Sequence, residues 1–440
     1  MTDTLLRVDR HTLALATLTY CCNTASAIMY HLIYPQEGYF QEMLDQGGPY
    51  PEAADQGRPH PLGASSDSVK SELVIPRMGG GQKTARETAD QQPESEGLGK
   101  RTYESQSQES QPHVLQPYRT SPGRYGLEPE RIVHELERLH DLGRMESPLL
   151  LKALEKTIVT GHLRKPSSAV AAFNQALERW VERMGPIKDM DDRQRETYFT
   201  QNGKLWIIGP QSPLWPRHLD DLATMADSTP PLCLWGRGDS SALMACVQPV
   251  GVVGSRDCTD YGKNIAFHAG RQAALLGHTV ISGGASGVDA AAHWGALSAF
   301  PDLGESAGKT IAIFAGGLNN CGPLSNSRLF DQIRLRGGAL ISELPPDTVP
   351  EGYRFLMRNR LIAALSKVII VAQARHRSGA LNTATWAADL NRLVYAAPGD
   401  INKPYNTGCN ALIAQQKAVL LQSDNDFSSI CGREHDHEKC

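Results

Sequence analysis

The sequence predicts an α/β protein built on a doubly wound parallel sheet, with a small α-helical domain and a disordered linker on its amino-terminal side. Two stretches indicate the sheet, VGVVGSR (250–256) and HTVISGGASGVDAAAH (278–293). In each, a short apolar run enters a glycine turn. Further apolar runs alternate with helix-like stretches as far as Leu421. This alternation is typical of open parallel sheets, whose ligands bind at the carboxyl ends of the strands.

Five segments differ in composition along the chain. Residues 1–44 predict one or two short helices, and residues 45–124 are rich in Gly, Gln, Ser, Glu and Pro. The second segment predicts a disordered linker because it has too little apolar surface to offset chain entropy. Helical periodicity in 125–199 predicts a small helical domain. Residues 200–425 hold the predicted sheet domain, and 426–440 form a polar tail.

The sheet domain is predicted to contain about six parallel strands with helices between them. A further apolar run at 232–235 follows prolines and is placed along an edge of the sheet. The strand candidates lie at 250–253, 279–281, 310–314, 339–341, 368–371 and 393–395. The helix candidates lie at 262–276, 288–299, 325–335, 357–365, 379–390 and 409–416.

Charge is distributed unevenly along the chain. The net charge is −4, yet residues 245–421 contain 16 Lys and Arg against 11 Asp and Glu, a surplus of +5 that leaves −9 for the remainder. A basic domain on an acidic chain favours an anionic ligand for that domain. Scattered, solvated charge would also produce a surplus of this modest size.

The cysteines and the amino terminus bear on the compartment. Nine cysteines without a CxxC pair predict reduced thiols, and the first residues lack the basic start of a signal peptide. Polar residues interrupt the apolar stretch 13–34, which favours a helix pair over a membrane span. We therefore expect a cytoplasmic protein that does not bind membranes. The Cys and His residues of 431–440 lack zinc-finger spacing, so no metal site is expected.

Gly254-Ser255-Arg256 stands at the end of the first strand of the VGVVGSR stretch. Gly254 allows a ligand to approach the backbone, the Ser255 hydroxyl can bind phosphate oxygens, and Arg256 offers two parallel N–H donors. The turn therefore predicts anion binding. The alternative is an ordinary tight turn with a surface arginine.

The second glycine loop, 282–287, also opens a helix. It does not match GxGxxG, and no acidic residue follows at the distance that contacts a ribose, so neither a nicotinamide nor any other cofactor is predicted. Asp289 and His293 share a helix face. They form either an acid/base pair or, in the preferred interpretation, an aspartate stabilised by the helix dipole beside a packing histidine. No catalytic residue is therefore predicted.

Arginines cluster at two further places. Arg358-Asn359-Arg360 lies on a predicted helix, where the two cations would either bracket a phosphate or hold Glu343. The run Arg375-His376-Arg377-Ser378-Gly379 follows a strand and opens the next helix, a position at which anions bind. Arginines that converge with few carboxylates favour binding of a polyanion over turnover of a small molecule.

Three aromatic residues near these arginines are candidates for stacking on bases. They are Phe355, Tyr353 and Tyr405, and base–aromatic stacking is the usual complement to phosphate contacts in proteins that bind single strands.

Motifs spread over about half of the chain together resemble the DNA-processing protein A family, also called DprA or Smf. They keep one order between about Trp215 and Leu421, which is more specific than any single glycine loop. The motifs are VGVVGSR (250–256), YG (261–262), ISGGASGVDAAAHWGAL (281–297), GKTIAIFAGGLN (308–319), ISELPP (341–346), RNRLIAALS (358–366), RSGALNTATWA (377–387), VYAAPGDI (394–401) and GCNALI (408–413).

The resemblance implies an extended Rossmann-like domain that binds single-stranded DNA, protects incoming strands and loads the RecA recombinase during natural transformation. It also implies a homodimer without enzymatic activity. By position it implies contacts to DNA from Gly254, Ser255, Arg256, Ser282, Gly283, Gly287, Asp289, Arg358, Asn359 and Arg360. The basic cluster adds Arg375, Arg377, Ser378 and Gly379 to this predicted set.

The chain departs from the family pattern at several positions. Cys321-Gly322-Pro323-Leu324 stands where the family carries a Tyr-Pro pair, often followed by a basic residue. This change removes an aromatic or cationic DNA contact. Leu356 replaces a family proline, and Gln373-Ala374 replaces Glu-Ala. The polar linker also divides what corresponds to the family's small helical domain.

Two other functions use related sheets. A nucleotide phosphoribohydrolase of the "lonely guy" type would carry PGGxGTxxE with a catalytic glutamate, whereas the comparable turn here reads AGGLN (315–319). A nucleotide-binding sensor would use the amino-terminal half as an effector. Such a sensor would bind a mononucleotide in preference to an oligonucleotide.

Overall fold

The structure, a computed structural model, describes residues 7–24, 26–34, 126–160, 167–225, 228–246, 248–422 and 430. The predicted linker (45–124) lies outside the described residues, as do the metal-capable Cys and His residues of 431–440. Those two predictions therefore stay predictions. None of the described helices combines the length and apolar character needed to cross a membrane.

Helices precede the sheet on both sides of the linker. Asp9 caps the first helix by accepting a hydrogen bond from the Thr12 N–H at 2.9 Å, and Asp191 forms a capping box with Gln194 on the last of them. The helices are α1 (Arg10–Cys22), α2 (Ala27–Ile33), α3 (Pro129–Asp141), α4 (Pro148–Thr160), α5 (Ser167–Met184) and α6 (Asp192–Thr200).

The helices before and after the linker share one core. Leu15 of α1, Leu136 of α3, Trp180 of α5 and Phe199 of α6 are all buried in it. The same core continues onto the sheet through Trp235. The helical segments therefore pack together and against the sheet. Their division into separate domains stays a prediction.

The described strands form one mixed sheet in the order β1-β2-β6-β5-β4-β3-β7-β8-β9, with the strands numbered along the chain. They are β1 (Trp206–Ile208), β2 (Leu234–Gly238), β3 (Val250–Gly254), β4 (Val280–Gly283), β5 (Thr310–Ile313), β6 (Ala339–Ser342), β7 (Val368–Gln373), β8 (Leu393–Ala396) and β9 (Val419–Leu420). In this order, every neighbouring pair from β6 through β5, β4, β3, β7 and β8 to β9 is parallel. The predicted parallel sheet is confirmed.

Two details of the prediction are wrong. The sequence predicts that the segment 232–235, which enters β2, lies on an edge of the sheet. In the structure β2 pairs antiparallel with both β1 and β6, so β1 is the edge strand. The short strand β9 was not predicted. Its two residues follow a helix and are exposed, so they carry no pattern that distinguishes a strand from a loop.

Helices cover both faces of the sheet, as a doubly wound topology requires. They are α7 (Asp260–Leu275), α8 (Val288–Leu297), α9 (Phe300–Leu303), α10 (Ser327–Leu335), α11 (Gly352–Leu365), α12 (Gly379–Asp389) and α13 (Thr407–Ala414). Side chains of β3 alternate between the faces, because Val252 packs with α7 and α8 whereas Val253 packs with α11 and α12.

The strand order reverses beside β3. The chain adds β4, β5 and β6 on one side of β3 and then crosses to β7 and β8 on the other. The turns that leave β3 and β7 consequently diverge, and a crevice opens between them at the carboxyl ends of the strands. In open α/β sheets this is the place where ligands bind.

Candidate nucleic-acid interface

A cavity of about 440 Å³ opens at this crevice, and we call it the arginine cleft. Its walls come from the turn after β3, the start of α8, the middle of α11 and the loop that enters α12. Most of the predicted site residues line it: Gly254, Ser255, Arg256, Asp289, Arg358, Asn359, Arg375, Arg377, Ser378 and Gly379.

The turn after β3 is held against β7. The Ser255 N–H donates a hydrogen bond to the Gln373 carbonyl oxygen at 2.8 Å. A Cβ on Gly254 would lie 2.7 Å from that oxygen, so only glycine fits there. The exposed Arg256 guanidinium lies 4.5 Å from the centroid of the Phe355 ring, a cation–π contact. The turn thereby presents both a cation and an aromatic ring to the cleft.

The second glycine loop lines the cleft through Ala285 and otherwise shapes it from behind. Gly287 has φ +81°, and a Cβ there would collide with the carbonyl oxygens of Ser255 and Arg256. Ser282 is fully buried and donates its hydroxyl to the Val252 carbonyl at 2.6 Å. Ser282, Gly283 and Gly287 are not among the residues that line the cleft, and their contact with a ligand stays a prediction. The space beside Gly283 is filled by the side chains of Arg358 and Asp289.

Arg358 occupies the space that Gly283 leaves open, beside Asp289. Only 7% of Arg358 is exposed, and its Nε and Nη1 atoms have no hydrogen-bond partner among the described residues. Burial lowers the pKa of Arg358 and raises that of Asp289. A buried guanidinium without acceptors is costly. An anion entering the cleft would supply the acceptors that this guanidinium lacks.

Arg360 does not line the cleft. It is fully buried, and its Nη2 atom lies 2.6 Å from Oε2 of Glu343. Of the two roles that the sequence predicts for Arg360, the structure shows the ion pair with Glu343, and contact with a phosphate stays a prediction. Asn359 lines the cleft and donates hydrogen bonds to the Gly379 carbonyl (3.1 Å) and to Asn382 (3.2 Å), which holds the start of α12.

The basic loop before α12 forms the opposite wall. Arg375 is exposed, lies 3.2 Å from Asp257 and stands 5.1 Å from the centroid of the Tyr405 ring. Arg377 is also exposed. Ser378 caps α12 by accepting a hydrogen bond from the Ala380 N–H at 3.3 Å. The wall therefore combines two long, exposed arginine side chains with the positive end of the α12 helix dipole.

His293 does not act with Asp289. Its Nε2 atom lies 2.9 Å from the Gly283 carbonyl, to which it donates, and its Nδ1 atom lies 2.7 Å from the Thr310 hydroxyl. Burial lowers the pKa of His293 to about 4. The histidine is thus neutral at pH 7 and fixes the second loop. The interpretation as a packing residue fits this geometry, and the acid/base pair does not.

Sequence reasoning missed the side chains that fasten the loops. Asn326 donates to the carbonyls of Gly284 and Ala285 at 3.0 and 3.1 Å. Gln373 accepts a hydrogen bond from the Thr259 N–H at 2.7 Å and donates to Asn406 at 2.9 Å. No local pattern marks these amides, because their partners lie tens of residues away along the chain.

One group outside the cleft has the composition of a metal site. His11, Glu128 and Glu130 place one ligand atom each within 4.8 Å of one another. His11 already faces Glu130, with Nδ1 3.5 Å from the carboxylate. Exposed acidic clusters of this kind are common without an ion, so the group assigns no function.

Comparison with known proteins shows which family the chain belongs to. The family model for DNA recombination-mediator protein A matches residues 206–431, which is more than half of the chain. The chain belongs to this family. As a member of the DprA family, it carries the cleft within the matched region, whereas α1 to α6 precede that region.

Individual relatives cover different shares of the chain. The DNA processing protein DprA of Bacillus subtilis is 34% identical over 224 residues, which are 51% of this chain and 70% of that protein. A DprA protein of Mycobacterium tuberculosis is 37% identical over 195 residues, or 44% of this chain, and the chain spans about half (48%) of its length. The X-ray structure of DprA from Streptococcus pneumoniae is similar with 29% identity and a TM-score of 0.49, covering 69% of this chain and 93% of that chain.

Acid should destabilise the protein partly through His293. Its pKa falls from 6.5 to about 4 on folding, so the unfolded state binds more protons between these values. The free energy of unfolding should then decrease as the pH falls from 6.5 to 4, by up to about 3 kcal/mol at 1.36 kcal/mol per pKa unit. Urea unfolding at a series of pH values measures this dependence.

The control is His293→Gln, because buried His31 and half-buried His218 also have lowered pKa values and contribute in the same direction. The free energy of unfolding of the variant should depend less steeply on pH than that of the native protein. The remaining dependence should be the contribution of His31 and His218. Parallel curves for the variant and the native protein would show that His293 is not the titrating group.

The Arg360–Glu343 pair should matter for stability. Replacing Arg360 with Ala leaves a buried carboxylate without its partner, which costs about 3–5 kcal/mol. The double variant Arg360→Met/Glu343→Leu should be much less destabilised, since it removes both charges. Arg334→Ala, which breaks an exposed pair with Asp331, should cost about 0–1 kcal/mol. Equal losses for the exposed and the buried pair, in urea unfolding, would contradict the assignment.

Proposed function

We propose that the protein binds single-stranded DNA in the arginine cleft and acts as a recombination mediator. In this proposal it protects an incoming strand and passes it to a RecA-type recombinase, as a cytoplasmic homodimer. It has no enzymatic activity. The family description supports recombination mediation, and the recombinase, the dimer and the role in transformation rest on the family resemblance.

The observation that carries the proposal is the charge of the cleft. Among the described residues that line the cleft, four are arginines and one, Asp289, is acidic. Exposed and buried arginines together suit a chain of phosphates, because the exposed side chains attract the strand and the buried one offers unsatisfied donors. Arginine binds phosphate oxygens through parallel N–H donors. The cleft also lies at the switch point of the sheet, where anionic ligands bind.

Apolar surface beside the arginines supports binding of bases. Phe355 lies under Arg256 and lines the cleft, and the neighbouring Leu356 is 50% exposed. Leu324 is 86% exposed in the loop where the family carries its Tyr-Pro pair. In this chain an aliphatic side chain thus replaces the aromatic or cationic contact at that point. Base stacking on Phe355 tolerates any sequence because every base has a π-face.

The lining does not favour an enzyme of the phosphoribohydrolase type. Hydrolysis of a nucleotide would use a carboxylate directed at the sugar, whereas Asp289 is only 7% exposed at the cleft wall and lies beside Arg358. A nucleotide sensor would use the same phosphate contacts. It differs from the proposed function in preferring a mononucleotide to an oligonucleotide.

Replacing an exposed arginine of the cleft should weaken binding of oligo-dT. Arg256→Ala and Arg377→Ala should each reduce affinity about tenfold, as expected for loss of a charge-assisted hydrogen bond. Each lost phosphate contact should also lower the slope of log K against log salt by about 0.7. Fluorescence anisotropy with labelled oligo-dT at several salt concentrations measures both quantities.

Arg334→Ala is the matched control. This arginine is also exposed but lies at the end of α10, at the opposite edge of the sheet, so its loss should leave the affinity unchanged. The proposal fails if oligo-dT does not bind at low salt, or if the two cleft variants bind like Arg334→Ala. A mononucleotide that binds more tightly than oligo-dT would favour the sensor.

A further inference from the structure

A second large cavity, of about 480 Å³, lies between the amino-terminal helices and the sheet. We call it the helix–sheet cavity. Residues of α1, α5 and α6 form one wall, and the segment 345–351 with the first turn of α11 forms the other. None of the predicted site residues lines it. Its size falls in the range of about 300–1,000 Å³ that is usual for ligand pockets.

The wall contributed by the helices is aromatic. The Tyr198 ring lies 5.4 Å from Phe199 and 6.2 Å from Tyr20, measured between centroids, with edge-to-face geometry. Phe199 is fully buried, whereas Tyr198 is 43% exposed. The two inner rings hold Tyr198 in place and leave part of its surface open. An aromatic ring held in this way is a platform on which a base stacks.

The opposite wall contains a buried cation. Arg354 is 5% exposed, and its Nη1 atom has no hydrogen-bond partner among the described residues. Its Nε atom donates to the Tyr353 hydroxyl at 3.1 Å, and its Nη2 atom lies 3.5 Å from Glu351. One donor of this guanidinium is therefore unsatisfied. A carbonyl oxygen or ring nitrogen of a ligand would satisfy it.

Helix α11 connects this cavity to the arginine cleft. Arg354 and Arg358 are four residues apart, so they lie on the same side of the helix, about 6 Å apart along its axis. A smaller cavity of about 240 Å³ shares Arg358 with the cleft and is lined by Pro350. Pro350 follows directly on the residues 345–349 that line the helix–sheet cavity. The three cavities thus adjoin the same helix in succession.

Charge distinguishes the two larger cavities. The charged residues that line the arginine cleft are Arg256, Arg358, Arg375, Arg377 and Asp289. Those that line the helix–sheet cavity are Arg183, Arg354, Asp347 and Glu351. The first set has a surplus of positive charge and suits phosphates. The second is balanced, so it suits a neutral aromatic group with polar edges.

We infer that the helix–sheet cavity binds a nucleobase of the same single strand whose phosphates lie in the arginine cleft. This inference rests on the proposed function. The base stacks on Tyr198, and its polar edge accepts a hydrogen bond from Arg354. The amino-terminal helices then form part of the DNA site, and the strand follows α11 from Arg358 to Arg354.

A length series of oligo-dT tests the inference on the full chain. Short oligonucleotides fill the arginine cleft alone, and longer ones also reach Tyr198. Tyr198→Ala should therefore leave the affinity for the shortest binding oligonucleotide unchanged and lower the affinity for long ones about tenfold, as expected for one lost stacking contact. Tyr198→Phe keeps the ring and should bind like the native protein. Leu335→Ala, at an exposed residue (73%) at the end of α10, is the control.

The unaltered protein offers a second test that does not depend on a variant. A long oligo-dT that carries 5-iodouracil at one position should form a photo-cross-link to the α6 peptide containing Tyr198 when that position lies beyond the cleft. Absence of this cross-link at every position, or equal affinity of Tyr198→Ala and the native protein at all lengths, overturns the inference and leaves the proposed function standing. If no oligonucleotide of any length binds, the proposed function fails first.

Discussion

The cleft depends on the close packing of two glycine loops at one edge of the sheet. Gly287 adopts φ +81° and lies against the carbonyl oxygens of Ser255 and Arg256, so that a side chain at this position has no room. The contact brings the turn after β3 and the start of α8 together. In the same loop, the lack of a side chain at Gly283 leaves the space that Arg358 enters. Backbone contact therefore explains the glycine at position 287, and the candidate ligand surface lies on the side chains around it.

The arginines at this edge divide into groups by burial. Arg360 is fully buried and its Nη2 atom pairs with Glu343, while its Nε and Nη1 atoms have no hydrogen-bond partner among the described residues. Arg358 and Arg354 are also buried and also keep donors without a partner in the described part of the chain, but unlike Arg360 they line the cleft and the helix–sheet cavity. Arg256 and Arg377 are exposed, so they can contact a DNA strand while it is still hydrated. The exposed arginines are accessible to an approaching strand but are screened by salt, whereas the buried arginines are screened much less.

Most of the sheet was predictable because its strands are nearly continuous apolar runs followed by glycine turns, as in β3 and β4. The places where prediction failed lack that signal. The position of β2 between β1 and β6 is set by antiparallel pairing with residues more than a hundred positions away, and β9 has only two exposed residues. Of the predicted site residues, ten line the arginine cleft, and their contact with DNA stays a prediction. Ser282 and Arg360 do not line it, and their burial cannot be read from a polar residue inside a motif.

Residue order alone dictates the alternation of strands and helices, the glycine turns and the concentration of arginines after β3 and β7, since all of these are local patterns of polarity and backbone freedom. The tertiary structure decides which arginine is paired, which donor is left open, and which helix face meets the sheet. Tyr198 and Arg354 show the difference, because they are 156 positions apart in the sequence and line one cavity. Nothing in either local sequence specifies that approach. It follows from the packing of the amino-terminal helices on the sheet around Trp235.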